Sequence, residues 1–239
     1  MTRKEWLSVV FLFLGIVLAF GSYLLLNAAP PEWRWPAVYA AVPTTHELIE
    51  PLTGAAPFQT FVLRSWADSF IPFVPLMAIP YLSYLAIVPV LIPILNLLAR
   101  SLKTFYTMAW ALIGAQVFLD LGFFFFQTWV ERSAQQPDGF EGFLVGLVWG
   151  NDQPFNGFPS GHCTWTTIGI LSLWRLRKRF PKTTWITMIW LLSIFPANVM
   201  LQQHYLMDVY AGIAVGIAAY SVAMFAVEKP KITLPARAS

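Results

Sequence analysis

Long apolar stretches separated by short polar connections dominate the chain. Six of them approach the roughly 20 residues that a helix needs to cross a bilayer. The pattern predicts helical spans over residues 5–27, 70–98, 102–128, 160–176, 184–202 and 206–227. We therefore expect one all-α integral membrane domain over residues 1–239, a bundle of six transmembrane helices with interfacial helices in its outer loops.

Two of these stretches have features of their own. The second contains Pro72, Pro75, Pro80, Pro89 and Pro93, which predicts a kinked helix whose freed carbonyls bond to neighbouring helices. The first lies where a signal peptide would lie, but its apolar part is too long and the small residues of a cleavage site are missing. We expect it to be a retained span.

Composition agrees with a membrane protein. Hydrophobic residues make up 57% of the chain and charged residues 11%, against about 25% charged residues in soluble domains. The single cysteine, Cys163, excludes an intrachain disulfide. Because no metal-type spacing accompanies it, we interpret Cys163 as a packing residue.

Basic residues orient the predicted bundle. Of the 15 Lys and Arg residues, only Arg34, Arg64 and Arg132 fall on the side opposite to the termini. The positive-inside rule then places both termini in the cytoplasm, for a protein of the plasma or inner membrane. A basic run such as 175–182 can also bind nucleic acid, but its position directly after a span favours topology and anionic lipid, so no nucleic-acid partner is expected.

Two large loops, 28–69 and 129–159, then face outside. The second contains "GFEGFLVGLVWGN", which is apolar but too short to span, so we expect it to lie in the membrane interface. The segment "FPSGH" opens the fourth span from this outer face. The connection that holds His204 returns to the same face.

The "PSGH" turn has the composition of an anion site. Proline suits a first helical turn, Ser160 can cap the helix, and Gly161 lets a ligand approach the backbone. Free N–H groups at a helix N-terminus bind phosphate. His162 would protonate a leaving oxygen there. The alternative interpretation of the same motif is an ordinary helix cap followed by an interfacial histidine.

A second histidine pairs with a carboxylate. In "QQHYLMDVYAG", the four-residue spacing predicts that His204 and Asp208 share a helical face. Asp208 would accept a hydrogen bond from one ring nitrogen, which leaves the other free as a nucleophile or base. Such a pair is also common as a simple helix contact. The functional interpretation therefore depends on both motifs lying at the same membrane face.

"FPSGH" followed about forty residues later by "HYLMDVYAG" resembles the type 2 phosphatidic acid phosphatase superfamily, with the signature in 155–215. That group includes lipid phosphate phosphatases and sphingolipid synthases. The resemblance implies that His204 is the nucleophile and forms a phosphohistidine, with Asp208 orienting it. It also implies that His162 is the general acid and that Ser160 and Gly161 bind phosphate oxygens.

The chain departs from the phosphatase pattern. Asn198 stands where an arginine is expected six residues before His204, and the Lys-x6-Arg-Pro motif is absent. Arg132 is the best remaining cation, with an ordinary interfacial arginine as the alternative. A phosphomonoester approaches a charge of −2 and calls for several cations, so a site with one arginine and Asn198 favours a phosphodiester with charge −1.

Asp120 is the acidic residue well inside a predicted span, and an intramembrane carboxylate is a candidate functional group. It would line a headgroup cleft together with Gln116, or it would bond to a hydroxyl or indole elsewhere in the bundle. His46, in the first outer loop, is interpreted as exposed.

These observations predict a metal-independent enzyme that moves a phospholipid headgroup through a phosphohistidine, similar to the inositol phosphorylceramide and sphingomyelin synthases. The alternative is a lipid phosphate phosphatase acting on phosphatidic acid, phosphatidylglycerol phosphate or a polyprenyl phosphate. A transporter is more remote, because transport sites usually lie at the midplane, and a structural scaffold is a further option. Expected partners are a phospholipid from the bilayer and a lipid-alcohol acceptor; no cofactor is expected, and the oligomeric state stays open.

Overall fold

The computed structural model describes residues 1–28, 62–126, 128–132 and 134–228. Most of the first predicted outer loop, including Arg34, His46 and the acidic residues Glu32, Glu47 and Glu50, lies outside these residues, as do the basic residues after 228. Within the described ranges the protein is helical and contains no strand. One pair of bridging residues, Trp129 and Phe155, joins two loop segments.

Nine α-helices form the described part of the chain. They are α1 (Arg3–Ala28), α2 (Ala78–Ala86), α3 (Ile92–Leu98), α4 (Leu102–Phe125), α5 (Gly139–Asn151), α6 (Gly161–Leu176), α7 (Pro181–Leu192), α8 (Ile194–Met200) and α9 (Leu206–Glu228). The all-helical prediction is therefore confirmed for this part of the chain.

Five helical segments among the described residues are long and apolar enough to cross a membrane: Arg3–Asn27, Pro75–Leu98, Leu102–Phe125, Pro181–Met200 and Leu206–Glu228. They define an integral membrane protein. The fourth predicted span, 160–176, corresponds to α6. At 16 residues, α6 extends about 24 Å, which is less than the roughly 30 Å hydrocarbon core, so the predicted count of six is not reached by length alone.

The proline-rich second span is interrupted, as its sequence predicts. A short 3₁₀ turn at Pro75–Met77 leads into α2, and a π turn at Ile87–Leu91 separates α2 from α3. Pro89 lies inside the π turn and Pro93 in the first turn of α3. Because proline has no N–H to donate, the regular hydrogen-bond ladder cannot pass through these positions.

Helix α6 lies in the middle of the bundle, against α4 and α9. Two glycines of α9 allow the close approach: a Cβ at Gly212 would lie 2.5 Å from the Ser160 carbonyl oxygen, and one at Gly216 would lie 2.7 Å from that of Thr164. Small residues four apart are the usual means by which membrane helices pack closely. The contact holds the start of α9 against the "PSGH" turn.

The apolar stretch of the second outer loop folds as α5, a helix of 13 residues. It packs against α2 and the preceding 3₁₀ turn. Phe140 and Phe143 stay exposed on its other side. The helix therefore lies at the end of the bundle where α2 begins.

Candidate active site

The two histidines from distant parts of the chain meet at this end of the bundle. The ring centroids of His162 and His204 are 6.0 Å apart, and the ring planes are inclined by 62°. His162 is the second residue of α6 and His204 lies in the turn before α9. Both side chains are buried.

The ring of His204 is held by a backbone carbonyl. Its Nδ1 lies 2.9 Å from the carbonyl oxygen of Gly157, and because a carbonyl can only accept, Nδ1 carries the proton. Nε2 is then the unprotonated nitrogen of the neutral ring. The main chain is anchored as well, since the His204 N–H donates to the Asn198 carbonyl at 3.2 Å.

Asp208 lies behind this ring without taking its hydrogen bond. Its Oδ2 is 3.6 Å from His204 Nδ1 and accepts from the Tyr205 N–H at 2.8 Å. The expectation that Asp208 would bond the ring and share a helical face with it is wrong in this detail, because α9 begins at Leu206, after His204. Gly157 takes the hydrogen bond, and the buried carboxylate supplies negative charge close to Nδ1.

Gly157 is a site residue that the sequence did not single out. A Cβ there would lie 3.0 Å from Val130 Cγ2, 3.1 Å from Asp208 Oδ2 and 3.2 Å from Thr128 Oγ1. Only a glycine brings this carbonyl to the His204 ring without moving a neighbour. The signal in the sequence was its position two residues before the "PSGH" proline, which alone does not identify a hydrogen-bond partner.

The "PSGH" turn starts α6 as expected. The Ser160 hydroxyl accepts from the Cys163 N–H at 3.3 Å, and Ser160 is fully buried. The Ser160 N–H donates to the Asp208 carbonyl at 3.0 Å, so it is already used. The N–H groups of Gly161 and His162 belong to the first turn, where a helix offers no intrahelical acceptor, and these are the donors left for an anion.

A cluster around Asp152, just after α5, was missed by the sequence analysis. The Asp152 carboxylate accepts hydrogen bonds from the hydroxyls of Tyr23 and Tyr81 and, at 2.5 Å, from Asn27 Nδ2. Its Oδ2 is 3.9 Å from His162 Nε2. Tyr23 and Asn27, four residues apart in an apolar span, were the available signal, but nothing in the sequence connected them to residue 152.

Tyrosines complete the surroundings of His162. The Tyr81 ring stacks on the imidazole at 4.4 Å between centroids, and its hydroxyl is 3.4 Å from Nδ1. Tyr84 lies 4.8 Å and Tyr23 6.3 Å from the same ring, between centroids. Both nitrogens of His162 therefore face oxygen atoms, and these offset part of the cost that burial places on the protonated ring, the form that a general acid needs.

Arg132 is near the site, but protein acceptors occupy both terminal nitrogens of its guanidinium. Nη1 donates to the Trp149 carbonyl at 3.2 Å, and Nη2 donates to the Asp152 carbonyl and, at 3.0 Å, to Gln203 Oε1. Burial lowers the pKa of Arg132 from its usual value, and the charge of Asp152 opposes that shift. Its position ties together the segments that carry Asp152 and His204.

Two other predicted substrate-binding residues make contacts within the protein. Asn198 is fully buried and its side-chain amide donates to the Ile194 carbonyl at 2.6 Å. Asp120 accepts from the Ser22 hydroxyl at 2.6 Å and from Gln116 Nε2 at 2.7 Å. Gln116 in turn accepts from the Trp165 indole at 2.9 Å, so Asp120 links α1 to α4 and α6.

Two crevices reach the histidines from different directions. The polar crevice, of about 50 Å³, ends on His204 and is lined by Arg64, Asp68, Glu131, Gln202 and Tyr205, among others. The apolar crevice, of about 70 Å³, ends on His162 and is lined by Tyr23, Leu82, Leu85, Leu147 and Asp152, among others.

These features define a helical membrane protein with two buried histidines and two carboxylates at one end of its bundle. A family model described as the PAP2 superfamily matches residues 123–231. The matched part of the chain holds both histidines, and the resemblance to the type 2 phosphatidic acid phosphatase superfamily seen in the sequence is confirmed. No curated protein and no solved structure showed a significant match to the chain. The family indicates lipid phosphatase or phosphotransferase chemistry.

Proposed function

We propose that the protein is a membrane enzyme that transfers the phosphoryl headgroup of a phospholipid to a lipid alcohol. His204 is the nucleophile and His162 the general acid, and the observation that carries this assignment is the 6.0 Å separation of their rings. A phosphoryl group bound between the two rings has one imidazole on each side. Roughly in-line displacement needs that arrangement.

In the first step, Nε2 of His204 attacks phosphorus. The hydrogen bond from Nδ1 to Gly157 and the nearby charge of Asp208 stabilise the positive charge that the ring gains. The phosphorus–oxygen bond to the leaving alcohol breaks, and His162 donates a proton to that oxygen. N–H groups of Gly161 and His162 hold the phosphoryl oxygens at the start of α6.

In the second step, an acceptor hydroxyl attacks the phosphohistidine and His162, now neutral, takes its proton. A lipid alcohol as acceptor completes a transferase cycle, whereas water completes hydrolysis. Histidine carries the phosphoryl group in both cases, so the proposal includes no metal and no organic cofactor. Asp152 acts on His162 as Asp208 acts on His204, by placing a negative charge next to the ring.

The charge of the site supports a phosphodiester donor. Arg132 spends its terminal nitrogens on protein acceptors, and Arg64 lies 3.5 Å from the Glu131 carboxylate. With the Arg132 terminal nitrogens used and the Arg64 charge offset by Glu131, the N-terminus of α6 suits a charge of −1 better than −2. This favours headgroup transfer over phosphomonoester hydrolysis.

The proposal includes six membrane crossings: the five long segments and, between the third and fourth of them along the chain, the shorter helix α6. Its central position, between two helices that are long enough to span, supports this assignment. A short span is accommodated by local thinning of the bilayer. Both termini then lie in the cytoplasm and the active site on the extracytoplasmic face, as the distribution of basic residues favours.

Purified protein incubated with a phospholipid labelled with ³²P tests the proposal. We expect acid-labile label on the wild type and on His46→Ala, which removes the third histidine, and no label on His204→Ala. Added diacylglycerol or ceramide should then receive the label as a new phospholipid. Release of the label only as a water-soluble phosphate would instead favour a phosphatase, and label that persists on His204→Ala would contradict the assignment.

A further inference from the structure

The first helix reaches the active site from outside the part of the chain that matches the family model. That match covers residues 123–231, whereas α1 ends at Ala28. Most of α1 packs along α4, with Val9, Leu12 and Ile16 buried in the apolar core. Near its C-terminal end the contacts become polar and aromatic, and they are made with groups that surround His162.

Two α1 side chains, four residues apart, hold one oxygen of Asp152. The Tyr23 hydroxyl donates to Oδ1, and Asn27 Nδ2 donates to the same oxygen at 2.5 Å and to the Tyr23 hydroxyl oxygen at 3.0 Å. Tyr81 donates to the other oxygen, Oδ2, which lies 3.9 Å from His162 Nε2. Donors from two helices, α1 and α2, therefore bind the two oxygens of the carboxylate that lies next to the general acid.

A second carboxylate sets the orientation of α1. The Ser22 hydroxyl donates to Asp120 Oδ2 at 2.6 Å, and Asp120 Oδ1 accepts from Gln116 on α4 at 2.7 Å. Because Ser22 and Tyr23 are consecutive on a helix, their side chains point about 100° apart. One reaches α4 and the other reaches Asp152, so the bond at Ser22 fixes the rotation of α1 next to Tyr23.

From these contacts we propose that α1 is part of the active site and that Tyr23 is a positioning residue. Its hydroxyl, together with Asn27, holds the Asp152 carboxylate where the negative charge favours protonated His162. An ionised carboxylate accepts hydrogen bonds on both oxygens, and without the α1 donors only Tyr81 would orient it. The inference rests on the proposed function, in which His162 is the general acid, and adds a helix that the family match does not include.

Tyr23→Phe tests the role of the hydroxyl, because it keeps the ring. With phosphatidylglycerol as the donor, we expect kcat to fall about tenfold, with little change in KM. This is a part of the roughly 100–10,000-fold that general acid catalysis supplies. The matched control is Tyr106→Phe, near the start of α4, whereas the site lies at the end of that helix. It should behave like the wild type.

A double-mutant cycle shows whether the hydroxyl acts through Asp152. The four enzymes are the wild type, Tyr23→Phe, Asp152→Asn and the double variant, all measured with phosphatidylglycerol. We expect the double variant to have the kcat of Asp152→Asn alone, because no charge is then left for Tyr23 to position. Two losses that multiply would overturn the inference, since α1 would then act by another route.

An activated donor separates positioning from a general structural defect. Bis(p-nitrophenyl) phosphate is a phosphodiester whose leaving group, a nitrophenolate, departs without a proton and does not need His162 as an acid. We expect Tyr23→Phe to turn it over at nearly the wild-type rate, which also shows that the variant is folded. An equal loss with both donors would overturn the inference. The cycle with phosphatidylglycerol decides the question independently of this donor.

Failure of the inference differs from failure of the proposed function. If α1 only tethers the bundle, turnover still needs His204, while Tyr23→Phe keeps the wild-type kcat or loses equally with both donors. Turnover that persists in His204→Ala would instead contradict the proposed function itself, and the role of Tyr23 with it.

Discussion

The carboxylate of Asp152 lies 3.9 Å from Nε2 of His162, although the two residues belong to different elements. The same carboxylate accepts hydrogen bonds from the hydroxyls of Tyr23 and Tyr81. His204 has a similar neighbour in Asp208, at 3.6 Å. Each histidine of the site is thus paired with one buried or nearly buried carboxylate, and the two pairs face each other across the proposed phosphoryl position.

Replacement of Asp152 tests its role at His162. Asp152→Asn keeps the shape and removes the negative charge that favours protonated His162. We expect kcat to fall by about 10–100-fold, the scale of general acid catalysis, with a smaller change in KM. The loss of activity with rising pH should begin at a lower pH than in the wild type, because His162 then gives up its proton more readily.

Asp138→Asn, the same substitution at the other end of α5, is the control, since the Asp138 side chain makes no capping hydrogen bond. Tyr23, Tyr81, Tyr84 and His204 also face His162, and all of them remain in both variants. A uniform loss at every pH, with no movement of the profile, would mean that Asp152 has only a structural role.

Gly157 gives a second prediction. A Cβ at this position would meet Val130, Asp208 and Thr128 at 3.0–3.2 Å, so Gly157→Ala must shift either the carbonyl that holds His204 or the Asp208 side chain. A misplacement near 1 Å costs about 100-fold in rate, and we expect a loss approaching that size in kcat.

The matched control is Gly150→Ala, because a Cβ at Gly150 would meet nothing within 4 Å. Thermal unfolding of both variants in detergent should give midpoints close to that of the wild type. A Gly157→Ala enzyme with full activity would show that the carbonyl contact does not position the nucleophile.

The sequence predicted the helices well, because apolar runs of 20 or more residues have few alternative structures. Two short motifs predicted the family whose model matches residues 123–231, and the structure brings His162 and His204, the histidines of those motifs, close together. The predicted span count was not reached by length, since α6 is short and carries the buried polar residues Thr164, Thr166 and Thr167, which lower its hydropathy.

The contacts around the histidines could not be predicted from the sequence, for a physical reason. Tyr23 and Asp152 are 129 positions apart, and only the folded bundle brings them together. Gly157 acts through its backbone, which no side-chain pattern reports. The i,i+4 spacing of His204 and Asp208 did predict their proximity, but it could not reveal that the helix starts between them.

Arg132 is predicted to position other residues and not to bind phosphate. Arg132→Lys keeps the charge and loses the planar set of donors that reaches Trp149, Asp152 and Gln203. We expect kcat to fall by a similar factor for phosphodiester and phosphomonoester lipids. Initial rates with phosphatidylglycerol and phosphatidic acid provide the comparison, and a much larger loss for phosphatidic acid would show that the guanidinium binds the phosphate.

The contact between α9 and α6 gives the last prediction, and it concerns stability. A Cβ at Gly212 would lie 2.5 Å from the Ser160 carbonyl oxygen, and backbone atoms of two packed helices cannot move apart locally. Overpacking of this kind costs about 1–3 kcal/mol, so Gly212→Ala should unfold at a lower temperature or denaturant concentration. Gly114→Ala on α4, where a Cβ would meet nothing within 4 Å, should unfold like the wild type. The same contact holds Asp208 and Ser160, so the loss of stability in Gly212→Ala should be accompanied by a loss of turnover. A stable, fully active variant would show that the two helices are not packed this closely.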